Sequence, residues 1–307
     1  MNGKITWTIA SGLLNVATVL LLAPLFQGIL RKVTARIQSR QGPPLWQPYF
    51  DLLKLLGKED LESGESPPMQ RFAAYLSLAT MLTLACLVPM GFAAPMNGAA
   101  DVILLIYVLT LSGICTLLAG LAAGSTYSLL GISREMMGMI SLEPLLVIAL
   151  IAGAVHVHSL RLDAVLSGSL YSAGVAWSGI ILLGVMLLAF QAFVQRVPFD
   201  IAEAETELME GPLVEYSGPK LALFKYAQMG KLLIYSALFA SLLMPWGSHM
   251  VFPISWLLFW TKVLGLVLAV TLIAATHARY RIDQAIRYYA ALLAVGTVGL
   301  VLAVYGY

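Results

Sequence analysis

Charge is scarce in this chain. Of its 307 residues only 11% are Asp, Glu, Lys or Arg, against 60% that are hydrophobic, whereas a soluble domain carries roughly 25% charged residues. The shortage excludes a water-soluble protein built around one packed centre. The net charge of +2 says little about partners, and no nucleic-acid partner is expected. Cysteine is nearly absent: Cys86 and Cys115 both lie in apolar runs, without CxxC or Cys/His spacing. That excludes a recognisable zinc, haem-attachment or iron–sulfur site, so no metal ligand is expected on this chain and both thiols read as small buried residues. Alternation of period two is missing as well, as are repeats and low-complexity segments, which leaves an all-α fold. His156 and His158 stand two apart and cannot share a helix face; they read as interfacial polar residues. Ser133 has neither a nucleophile elbow nor His and Asp partners, so a hydrolase is excluded and no catalytic residue is expected.

Long apolar runs are what the chain has in abundance. Crossing ~30 Å of hydrocarbon takes about 20 apolar residues, and eight runs qualify: 7–29, 72–93, 101–122, 137–156, 173–194, 230–246, 254–276 and 288–306. The first is too long for a signal-peptide core and ends at Arg31-Lys32 rather than at a cleavage site; it reads as a retained span. The reading is a single membrane domain over 1–307 with eight transmembrane helices. Fourteen Lys and Arg lie in the loops after spans one, three, five and seven, against Lys4 and Arg161 on the other side. The bias places those loops in the cytoplasm and both termini outside. Two inner loops are long, 30–71 and 195–229, and suggest a docking face for a cytoplasmic partner.

The second long loop carries Arg196 to Gly218, RVPFDIAEAETELMEGPLVEYSG, with six of the chain's sixteen carboxylates: Asp200, Glu203, Glu205, Glu207, Glu210 and Glu215. Pro198 suits a first helical turn. A helix from there to Gly211-Pro212 would put Asp200, Glu203, Glu207 and Glu210 on one stripe and Glu205 on the other side. Arg196 is the one close cation in sequence. In water such a stripe is a screened acidic surface; facing a confined cavity, its members would share protons. Two further charges, Glu143 and Lys262, fall inside spans and Lys231 stands at the edge of one; an ionisable residue in a span marks a function by default. For Lys262 the alternative is snorkelling to the outer surface.

These residues resemble a family. RxPFDxxEAExELxEGPxxEYSG is similar to the signature loop of the quinone-site membrane subunit of respiratory complex I and of its relatives in membrane-bound [NiFe] hydrogenases. The first inner loop agrees through Arg36, Arg40, Gly42, Pro43, Gln47, Asp51, Lys54 and Lys58, and so does RYRIDQ, from Arg279 to Gln284. The likeness runs the length of the chain. Three features lean to the hydrogenase branch, of formate-hydrogenlyase subunit 4 type: the contracted Gly42-Pro-Pro-Leu-Trp-Gln47, the Ser133-Arg134-Glu135 and Glu143-Pro144 pair, and Glu210-Gly211-Pro212-Leu213. Two positions depart from it. Phe193 stands where many relatives carry Glu, and Ala122-Ala123 precede Gly124-Ser125 where an Asp is frequent.

The resemblance implies a non-catalytic anchor and coupling subunit in the inner membrane of a prokaryote. It would hold no cofactor itself. Large and iron–sulfur small hydrogenase subunits, with their clusters and [NiFe] centre, would dock on the cytoplasmic face, and an antiporter-like membrane subunit would sit alongside in the bilayer. The docking residues it implies are Arg36, Arg40, Gln47, Asp51, Lys54, Arg134, Arg196, Arg279, Arg281 and Asp283. The coupling route would run from Glu215 or Glu210 through Glu203, Glu205, Glu207 and Asp200 to Glu135, Glu143 and Lys262. Two alternatives remain: the quinone-cavity subunit of a complex I-like NADH or ferredoxin:quinone oxidoreductase, and a stand-alone ion transporter, since acidic residues and broken helices also mark transport sites.

Overall fold

The computed structural model describes residues 2–61, 66–96, 98–167, 176–203, 205–209, 211–244, 246–247 and 250–306, with the backbone alone for 2–7, 205 and 206. Eleven α-helices and one 3₁₀ turn are found among them: α1 (Asn2–Ile37), α2 (Gln47–Leu56), α3 (Pro67–Leu87), α4 (Val102–Ala123), α5 (Thr126–Val157), α6 (Leu162–Leu166), α7 (Trp177–Phe193), α8 (Glu205–Leu208), the turn Gly211–Leu213, α9 (Gly218–Leu243), α10 (Ile254–Thr276) and α11 (Ile282–Tyr305). The only extended pairing among the described residues is an isolated bridge between Asp101 and Arg161. Seven helices (α1, α3, α4, α5, α9, α10 and α11) are long and apolar enough to cross a membrane. The eighth expected span corresponds to α7, whose 17 residues reach about 25 Å at 1.5 Å each; residues 173–175 of that expectation lie outside the described residues.

Local chemistry sets the helix ends. Pro48, Pro67 and Pro219 occupy first turns of α2, α3 and α9, where a missing N–H costs nothing. Gly124, left-handed at φ 70°, closes α4, and Ser125 caps α5 by accepting from Ser128 N (3.3 Å). Two residues therefore suffice to fold α5 back on α4. Several helices outrun the apolar runs that revealed them. α5 begins eleven residues before the expected 137 and α9 twelve before 230. As a result Arg134 and Glu135 sit on α5 rather than in a loop, and Lys231 lies in the middle of α9 rather than at its edge.

The larger correction concerns the acidic stretch. It is not one helix: turns run from Arg196 to Glu203, α8 is a single turn, and the 3₁₀ turn follows. Close approach explains the break. Gly211 is left-handed (φ 56°), and a Cβ there would lie 2.1 Å from Ala202 O, so the chain doubles back on itself. The turn then wedges against α4 and α5: Tyr216 Oη donates to Ala119 O (2.9 Å) and Ser128 Oγ reaches Pro212 O (3.4 Å). At Gly131 a Cβ would meet Pro212 Cδ at 2.8 Å.

α9 is the buried centre, packed by α1, α2, α3, α6 and α10; α11 packs on α5 and α7 at one side. Gly131→Ala should lower the melting temperature of the solubilised protein, because overpacking against backbone costs about 1–3 kcal/mol. Gly184→Ala on α7, where an added Cβ meets nothing within 4 Å, should be neutral or slightly stabilising. Equal behaviour of the two variants in a thermal-shift assay would contradict the wedge.

Candidate functional site

The turn after α7 carries the site. Gln195 adopts a left-handed backbone (φ 54°), and the Arg196 amide reaches back to Gln191 O (3.3 Å). Gln191, buried in the last turn of α7, donates to Val197 O (2.5 Å) and to Val270 O on α10 (3.2 Å). Phe199 packs among the rings of Tyr280, Tyr288 and Tyr289, with centroids 5.3, 5.2 and 5.4 Å away. Tyr280 N–H donates to Pro198 O (3.0 Å). The loop after α7 and the loop between α10 and α11 are thereby tied together.

With no common helix, the carboxylates part company and each finds its own partner. Asp200 pairs with Arg279 (3.0 Å) and Glu207 with Arg134 (2.6 Å). Arg196, expected as the one close cation, donates to Gln27 Oε1 on α1 (2.8 Å) and acts on Glu203 and Asp200 through its charge; the direct partners come from three different elements. Glu203 accepts from Gln228 on α9. Burial pushes its carboxyl up to about 7; the charges of Asp200 and Glu135 add to this, and Lys225 and Arg196 oppose it. The hydrogen bond and charge of Arg134 hold the exposed Glu207 below the usual carboxylate range. Glu215 is half-buried at the end of the stretch. Glu205 falls where only the backbone is described, and Glu210 lies outside the described residues.

Two cavities flank the turn. The larger, 740 Å³, lies between the C-terminal end of α1, the first loop, the turn and α9; Arg31, Arg40, Arg196, Asp200, Glu203, Lys225 and Gln228 are in its wall. The smaller, 70 Å³, lies deeper between α4, α5, α7, α9 and α11 and is lined by Glu135, Glu143, Phe193, Tyr235 and Tyr289 among others. Polar cavities of this size have room for water. Gln195 joins them: it donates to Glu135 and accepts from Lys231 Nζ (2.8 Å). Glu135 is 8% exposed.

The remaining expected residues are dispersed. Lys262 donates to Met244 O (2.6 Å) and Trp246 O, at the far end of α9. It caps a helix C-terminus, where a cation is favourable, and no described interaction joins it to Glu143. In the first loop Asp51 accepts from Arg31 (2.7 Å) and Gln47 (3.0 Å), which holds α2 on α1. Burial opposes ionisation of Asp51, but these bonds and the nearby charges of Arg31 and Lys54 keep its carboxyl below the ordinary range. Arg36, Arg40, Lys54, Arg281 and Asp283 are exposed, and Arg281 N–H donates to Gln284 Oε1 (3.2 Å) at the start of α11.

Sequence reasoning missed Lys231, Gln195, Gln228 and Tyr235. A signal existed for Lys231: Gly218-Pro219 marks a helix start, which places it thirteen residues inside. Nothing in sequence pointed to the two glutamines. Among the described residues no group of three or more His, Cys, Asp or Glu could hold a metal ion.

Residues 10–304 match the profile of the family described as NADH dehydrogenase. Hydrogenase-4 component C of Escherichia coli (strain K12) is 38% identical over 245 residues, covering 76% of this chain and 75% of that protein. Formate hydrogenlyase subunit 4 of the same strain is 32% identical over 279 residues, 88% of this chain and 91% of the other. A chain in the membrane-bound sulfane sulfur reductase, an archaeal respiratory membrane complex, superposes with a TM-score of 0.86 at 23% identity, over 96% of this chain and 99% of that one; it shares the fold.

The titration of Glu203 has a consequence for stability. A glutamate in the unfolded chain loses its proton near pH 4.3, whereas the folded chain keeps it to about 7. Across that window the folded state binds the extra proton. Stability from this group is therefore fully present below pH ~4, falls as pH rises, and is gone above about 7, a total of about 4 kcal/mol at ~1.4 kcal/mol per pKa unit. Melting temperatures of the solubilised protein should fall from pH 5 to 8, and Glu203→Gln should flatten that slope. Parallel slopes would contradict the buried carboxyl.

Proposed function

The chain belongs to the NADH dehydrogenase family, and on that footing we propose that it is the membrane anchor and ion-coupling subunit of a membrane-bound, energy-converting [NiFe] hydrogenase complex. The observation that carries this reading is its likeness to hydrogenase-4 component C and formate hydrogenlyase subunit 4 over three quarters or more of each protein. The chain is a multi-pass membrane protein, and α7 makes the eighth span; the loop charges orient both termini outside in the inner membrane of a prokaryote. Large and iron–sulfur small subunits dock on the cytoplasmic face at Arg36, Arg40, Lys54, Arg281 and Asp283. An antiporter-like subunit lies alongside in the membrane.

In this reading the inner loops convert a redox event on the docked partner into proton movement. Asp200–Arg279 and Glu207–Arg134 tie the turn to α11's loop and to α5, so a shift of one inner loop is felt at the other. Glu203 takes up or releases a proton near neutral pH, and Glu135 and Glu143 carry charge from there into the span. The alternative, a quinone cavity, fits less well. Small-molecule pockets are lined mainly by apolar side chains, whereas the 740 Å³ cavity presents Arg31, Arg196, Lys225, Asp200 and Glu203.

Native mass spectrometry of the gently solubilised complex should find a [NiFe] large subunit beside this chain; NADH-oxidising subunits in its place would overturn the assignment. Glu143→Gln should leave the complex assembled and evolving hydrogen while cutting ion uptake into inverted vesicles at least several-fold. Undiminished uptake would remove Glu143 from the route.

A further inference from the structure

Between Glu203 and Glu143 the two cavities do not merge, and only two of the described side chains line both: Gln195 and Lys231. An amide neither gains nor loses a proton near neutral pH, so Gln195 can hold a neighbour in place but cannot pass a net proton. Lysine is a titratable group on a flexible four-carbon stem. Lys231 sits at the middle of α9, the most buried membrane-length helix. Its ammonium donates to Gln195 Oε1 (2.8 Å) and lies 5.9 Å from the ring centroid of Tyr235. Glu135, Glu203 and Glu143 all act on it electrostatically; Glu135 and Glu143 share α5 and the smaller cavity, whereas Glu203 lies in the turn and lines the larger one. The other wall of the smaller cavity is apolar at this level, because Phe193 stacks on Tyr235 (centroids 5.7 Å apart). The side chain thus has a carboxylate on each side, and among the described residues no other titratable group lines both cavities.

We propose that Lys231 is the proton carrier across this junction, with Gln195 as its positioning residue; the inference rests on the coupling role proposed above. The transfer balances in two steps. The Lys231 ammonium gives one proton to the Glu143 carboxylate through the smaller cavity, leaving a neutral amine and a carboxylic acid. The amine then takes one proton from the Glu203 carboxylic acid through the larger cavity, restoring the ammonium and leaving the Glu203 carboxylate. The sum is one proton moved from Glu203 to Glu143, with no other reactant consumed. Gln195, bonded to Lys231 and to Glu135 together, keeps the amine at the partition between its two partners.

Substitutions at Lys231 in the intact complex separate carriage from mere charge. Lys231→Met removes both, and Lys231→Arg keeps the cation but gives up its proton only above pH ~12. Both should evolve hydrogen with an artificial electron donor at close to the native rate, and both should lose at least tenfold in ions taken up per hydrogen formed in inverted vesicles. If Lys231→Arg couples as well as the native complex, Lys231 is a fixed charge and the proposal is wrong. Normal coupling in Lys231→Met would equally overturn it. Should Lys231→Met fail to assemble, the arginine variant decides alone; if that also fails, Lys231→Gln does, and coupling in it equal to that of the native complex would overturn the proposal. A native complex that moves no ions would instead refute the coupling role itself, whatever Lys231 does.

Discussion

Taking a charged side chain out of water without a partner costs several kcal/mol, and this fold has six acidic residues to house in 23 after α7. The constraint decides how the inner half is built. A straight helix would have gathered four carboxylates on one stripe, where like charges three and four apart repel. The chain breaks into turns instead. Asp200 then reaches Arg279, Glu207 reaches Arg134 and Glu203 reaches Gln228. Each partner comes from a different element, so the act of satisfying the carboxylates also fastens α5, α9 and the α10–α11 loop to one another. Gly211 and Gly131 are the steric conditions for that arrangement, because the doubled-back chain leaves no room for a Cβ at either.

Satisfying charge in this way leaves polar space. Where α1, α9 and the turn diverge, a large charged cavity opens beside the first loop, and a smaller one lies between the long helices. The partition between them is a hydrogen-bonded knot, Glu135–Gln195–Lys231. Such a knot is bistable in principle: an amide can exchange its donor and acceptor ends, and a lysine can turn toward either neighbour. That is the physical content of the coupling proposed above. In that proposal a docked partner need only bias which side of the partition is protonated, and the ion pairs anchoring the turn give it a handle at the loop surface.

The membrane class and the positions of seven long apolar helices were legible because twenty-residue apolar runs have no common alternative meaning. Helix ends were not. α1 continues through Arg31, Lys32 and Arg36, and α9 starts at Gly218, where polar residues extend a helix beyond the hydrocarbon and hydropathy gives no signal. Pro219 did carry the start of α9. The acidic residues could be picked out as a group, but their geometry could not, because it rests on contacts 73 and 79 residues apart in sequence and on backbone approaches at Gly211 and Gly131. Lys262 illustrates the opposite case. A charge in a span stood out in sequence, yet the structure uses it to cap the carbonyls ending α9, while the less conspicuous Lys231 occupies the partition.

The account turns on Glu203 being a carboxylic acid that titrates near neutral pH inside the intact assembly. Infrared difference spectra of the purified complex, recorded across pH 5 to 9 for the native protein and Glu203→Gln, test this directly. The account predicts a protonated-carboxyl carbonyl band that disappears with a midpoint near pH 7 and is missing from the variant. A Glu203 ionised throughout that range, with identical spectra for the two proteins, would contradict it.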